Sequence, residues 1–73
     1  MKEKILSILR DVLENRELDW NCSQSNCEAW DSMNQLNLAS DIETEFGISL
    51  EPEEIAEMKD CESIYQIVSS KLK

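Results

Sequence analysis

WDSMNQLNLASDIETEFG, residues 30–47, reads as one complete amphipathic helix with its own start and stop. At about 100° per residue, Leu36, Leu38, Ala39, Ile42 and Phe46 fill an arc of roughly 160°. Asn34, Asn37, Asp41, Thr44 and Glu45 fall on the other side. Asp31 has the short acceptor side chain that caps a helix start. Gly47, the only glycine, supplies the left-handed residue that ends one. A helix over Ser32–Phe46 follows, and its apolar arc must be covered by something else in the chain.

The flanks supply the cover. Upstream, Ile5, Leu6, Ile8, Leu9, Val12 and Leu13 make a second arc of roughly 160°, which predicts a helix over about Lys2–Asn15. Lys4, Ser7, Arg10, Asp11 and Glu14 lie opposite. Between the two helices runs RELDWNCSQSNCEAWD, residues 16–31, which has no clear period and is rich in turn formers. A connection this long is usually functional or disordered. Leu18, Trp20 and Trp30 are expected to pin it to the core. Downstream, Ile48-Ser49-Leu50 is a short connector with both apolar residues inward. Pro52 at a first helical position, with Glu53 and Glu54 behind it, opens a short helix through about Met58 that buries Ile55 and Met58. Asp60 caps a last helix whose arc is Cys61, Ile64, Tyr65, Ile67, Val68 and Leu72, with Lys71 and Lys73 suiting its C-terminal end. The expected fold is all-α: a small four-helix bundle of three longer helices and one short one, a single domain over residues 1–73.

Composition narrows the function. A core drawn from 41% apolar residues in a 73-residue chain leaves little room for an enclosed catalytic cavity. Sixteen acidic residues against seven basic ones give a formal charge of −9. That field repels nucleic acid and anionic membrane surfaces and favours basic protein partners. No stretch has the apolar length of a membrane span, and three cysteines do not make a disulfide framework, so the expected setting is the reduced cytoplasm. Histidine is absent, removing the commonest general base and metal ligand. Cys22 and Cys27 lack the two-residue spacing of thiol oxidoreductases, which leaves a redox role as a minor alternative, and Cys61 reads as a small core residue. No metal site is expected. Glu51, Glu53, Glu54 and Glu57 lack the alternating ligands and glycine of a calcium loop and read as a solvated face.

Ser32 stands where the long loop meets the second helix. Unpaired N–H groups and the helix dipole make that end favourable for a phosphate ester. By chemistry alone, Asp31 and Ser32 are also ordinary capping residues. Asp31-Ser32-Met33, however, resembles the Asp-Ser-Leu attachment motif of acyl carrier proteins. The resemblance continues through Glu-Phe-Gly-Ile (Glu45–Ile48), Pro-Glu-Glu-Ile (Pro52–Ile55) and the closing helix, while the first helix matches only in type.

The resemblance implies that Ser32 carries 4′-phosphopantetheine, and that Asp31 supports the transferase, engaging its magnesium ion. The chain itself would be a monomeric, non-catalytic carrier, holding acyl groups as thioesters. Its partners would be a phosphopantetheinyl transferase and the enzymes that load and use the acyl group. Those enzymes would dock on the second helix through Met33, Asn34, Asn37, Ser40, Asp41 and Glu43, a face on which Gln35, Thr44 and Glu45 are also expected. An alkyl chain would shelter among Leu36, Leu38, Ile42, Ile55 and Ile64. Ala29 stands where the family often has glycine, which forgoes positive φ, and Met33 replaces leucine at similar volume. The reduced acidity of the second helix suggests a dedicated fatty-acid, polyketide or related pathway with less salt-sensitive docking. An aminoacyl or peptidyl carrier, or a helical interaction module that is never modified, are the alternatives.

Overall fold

A computed structural model describes residues 1–72; Lys73, expected beside Lys71 at the last helix end, lies outside them. Four helices follow one another: α1 (Lys2–Val12), α2 (Ser32–Phe46), α3 (Pro52–Ala56) and α4 (Cys61–Leu72). No strand occurs among the described residues; Ser23 and Asp60 form an isolated antiparallel bridge.

α2 keeps the expected bounds. Asp31 accepts from the Asn34 N–H at 2.9 Å, and Gly47, at φ 65° and ψ 38°, closes the other end. α1 is shorter than expected, ending at Val12 and not at Asn15. Its last turn unwinds because Glu14 takes a left-handed φ of 52°, with Glu14 N–H on Asp11 O and Asn15 N–H on Arg10 O. That is the usual glycine-type helix stop, built here on a glutamate. α3 ends at Ala56, short of Met58, although Met58 is buried as expected and Ile55 is half-buried.

α1 packs on α2 and α4, and α2 on α3. Ile5, Leu9, Leu38, Ile42, Cys61, Ile64 and Val68 form the centre of the core. Leu72, expected in the apolar arc of α4, is 48% exposed.

The long connection is packed down. Leu18, Cys22 and Trp30 are buried, and Trp20 is half-buried against Tyr65, its indole N–H donating to Glu62. Arg10, expected to face solvent, donates twice from its guanidinium to Leu18 O at 2.9 and 2.7 Å. Further along, Gln24 N–H donates to Lys59 O at 2.9 Å, tying the loop to the α3–α4 junction. The radius of gyration, 10.9 Å, is close to the ~11 Å of a tightly folded chain this long.

Candidate functional site

The loop and α2 meet at Trp30-Asp31-Ser32. Trp30 is only 4% exposed, so its ring anchors the turn from below. Ala29 O accepts both the Asp31 N–H at 3.0 Å and the Asn34 side-chain amide at 2.6 Å, fixing the chain on entry to the helix. Among the described residues only Glu14 and Gly47 have positive φ, so alanine at position 29 carries no conformational cost. Ser32, the first residue of α2, is exposed, and so is Asp31. The first turn of α2 holds no acidic residue, so the carboxylate at its N-terminal end is that of the capping Asp31, which takes up part of the positive end of the helix.

Beside Ser32 lies an open cleft of about 510 Å³, walled by Gln24, Trp30, Asp31, Gln35, Leu36 and Ala56 along with Ser32 itself. Its floor is a polar cluster. Gln35, expected on the exposed face of α2, is buried, at 8% exposure. Its Oε1 accepts from the Trp30 indole N–H and from the Gln24 amide at 3.2 Å. Its Nε2 donates to Ile55 O and to Met58 O. The side-chain amide therefore uses both lone pairs and both hydrogens, and no buried side-chain polar atom is left unsatisfied among the described residues.

Leu36 is the reverse case. It was placed in the apolar arc and in an acyl pocket, yet it is 63% exposed. Taking Ser32 as zero, Leu38, Ile42, Phe46 and Ala39 span only about 240° to 340° on the helix wheel. Gln35 sits inside that span at about 300°, whereas Leu36 lies outside it at about 40°. Wheel position, read without regard to residue type, is the signal that marks Gln35 as inward. The five acyl-pocket residues accordingly do not gather: Leu38, Ile42 and Ile64 are fully buried, Ile55 is half-buried, and Leu36 faces solvent.

The docking residues divide as well. Met33, Asn37, Ser40 and Asp41 are exposed, and Met33 and Leu36 make an apolar pair one turn apart next to Ser32. Asn34 and Glu43 are half-buried with structural partners; Glu43 accepts the Leu50 N–H at 2.7 Å, closing the α2–α3 connector. Within the acidic run, Glu54 is not simply solvated. It accepts the Glu51 N–H at 2.9 Å and pairs with Lys71 at 2.8 Å, and that lysine holds its carboxyl below the usual range.

The cysteines are free. Burial pushes the Cys22 thiol up to about 12, with Cys27 beside it adding to the effect, and burial likewise raises Cys61 to about 11. An activated thiolate requires a shift in the opposite direction. Among the described residues no three His, Cys, Asp or Glu groups are placed to hold a metal ion, and no helix is long and apolar enough to cross a membrane. No family model matches the chain, and no curated protein matches it in sequence.

Proposed function

We propose that this chain is an acyl carrier protein in which Ser32 bears 4′-phosphopantetheine. The observation that carries the reading is the exposed Ser32 hydroxyl at the first position of α2, directly after a capping Asp31 and at the mouth of a cleft. The residues present suit the group. A phosphodiester on Ser32 would lie against the start of α2, where N–H groups lack helical partners, sharing that positive end with the capping Asp31 carboxylate. When bound, the arm supplies a terminal thiol on which an acyl group is held as a thioester.

The chain's own part is geometric. Trp30, Ala29 and Asn34 fix the turn so that Ser32 stands clear of the core. No side chain beside Ser32 has the arrangement of an activating base, so the transferase supplies that chemistry, with Asp31 engaging its magnesium ion. Met33 and Leu36, bare and adjacent, offer an apolar contact for transferase, loading and acyl-using enzymes, framed by Asn37, Ser40 and Asp41. Tethering then raises the effective concentration of the acyl group at each partner's active site. The low charge of this face fits a dedicated pathway whose docking is less salt-sensitive than that of general fatty-acid synthesis.

The test is direct. Incubated with coenzyme A and a broad-specificity phosphopantetheinyl transferase, the chain gains the mass of one arm, and Ser32→Ala gains none. A wild-type chain that takes no arm from a transferase active on a control carrier refutes the reading.

A further inference from the structure

In a carrier of this kind, the cargo can lie in two places: threaded between the helices, or held at the surface. Ser32 opens on a cleft, and what separates that cleft from the core is the Gln35 cluster. The floor consists of two side-chain amides, Gln35 and Gln24, clasped to each other. They join three segments: Gln35 belongs to α2, Gln24 to the loop, and both donate to Met58 O beyond α3. Gln35 also ties down Ile55 O and the Trp30 indole.

An alkyl chain passing inward between α2 and α3 would have to push this amide aside. Four hydrogen bonds would break at once, and a methylene chain replaces none of them. The buried Trp30 N–H would then be left without a partner. In the core, Leu38, Ile42 and Ile64 are fully buried and have no exposed surface to give up. Leu36, one turn along α2 from the attachment point, is turned outward into the cleft and solvent instead of into the core.

We infer that Gln35 is a specificity-determining residue that closes the core to cargo, so that the acyl group is a short or polar one carried in the Gln24–Leu36–Ala56 cleft. The inference rests on the carrier reading of Ser32. It names a cargo class, a short or polar acyl group, in place of a long alkyl chain.

The experiment loads the wild-type chain with the bare arm, with an acetylated arm and with an octanoylated arm, each product verified by intact mass. Melting temperature and amide and methyl NMR shifts are then compared. The expected result is one melting temperature for all three forms, within about 1 °C, because a group held in solvent does not favour the folded state. Shifts on octanoylation fall at Gln24, Leu36 and Ala56, and not at the methyls of Leu38, Ile42 and Ile64. A rise of roughly 4 °C or more, as ligand burial gives in a domain of this size, together with shifts at those core methyls, overturns the inference while leaving the carrier reading intact. Failure to gain any arm overturns both. In Gln35→Leu the octanoyl form is expected to melt above the bare form; if that variant does not fold, the wild-type comparison decides alone.

Discussion

Replacing Gln35 by methionine keeps the length of the side chain and removes every hydrogen bond it makes. The consequences can be counted. The Trp30 indole N–H, buried at 4% exposure, loses its partner, a loss of about 1–3 kcal/mol. Ile55 O still accepts from Met58 N–H, and Met58 O from Gln24, so each carbonyl loses one bond and not its last, at about 1 kcal/mol apiece. Burying a thioether in place of an amide returns about 1–2 kcal/mol. The net loss is about 1–4 kcal/mol, a large share of the ~4–11 kcal/mol available to a chain of this size. Melting should fall by roughly 4–32 °C. Urea unfolding followed by circular dichroism measures the loss, with an unchanged slope showing that the end states are the same. The decisive control is a double-mutant cycle with Trp30→Phe. Removing the indole N–H beforehand should relieve Gln35→Met of its orphan term, a coupling of about 1–3 kcal/mol. If Gln35→Met is as stable as wild type, or if the two changes simply add, Gln35 does not hold this cluster together and the closed floor inferred above has no basis.

Glu14 occupies a left-handed φ that glycine adopts freely, so Glu14→Gly should stabilise the chain by about 1 kcal/mol in the same urea experiment; a destabilised variant would mean that its side chain does something else. On acidification two effects compete. Hydrogen bonds from Ser63 to Asp60, the Lys71 partner of Glu54 and the Trp20 indole on Glu62 hold these three carboxyls below their ordinary values of 3.8, 4.5 and 4.5. Their contribution is complete above those values and is lost as pH falls through the lower folded ones, whereas relief of repulsion among the charges that sum to −9 acts the other way. Melting temperature should therefore hold or rise slightly from neutrality towards pH ~5 and drop below pH ~4. Asp60→Asn, which keeps an acceptor oxygen but cannot be protonated, should show a shallower acid limb, and an unchanged limb would remove Asp60 from the account. A thiol reagent at neutral pH should modify half-buried Cys27 first and reach Cys22 and Cys61 only as fast as the fold opens; rapid labelling of all three would contradict their burial. With both thiols raised above 9.0 in the fold, stability from them is complete below that value and declines as pH climbs towards 11 and 12.

Local patterns in the sequence determined the helices and their order. Asp31 and Gly47 bracket α2, Pro52 opens α3, and Asp60 opens α4, because caps and glycine stops act within a few residues of chain. Apolar periodicity likewise marked Ile5, Leu9, Ile42, Ile64 and Val68 as core. The expected arc of α2 was drawn through its apolar residues, and there residue type and position disagree. Wheel position alone already sets Gln35 among the inward residues; only the packed structure decided that its amide finds partners there and that Leu36, at the edge of the arc, turns outward. An amide can be buried when a distant indole and two carbonyls happen to meet it, and those partners come from the loop, from α3 and from the segment just after it. The same holds for Arg10 on Leu18 O and for the left-handed Glu14: each is set by what the folded chain brings near, and neither leaves a mark in spacing or composition.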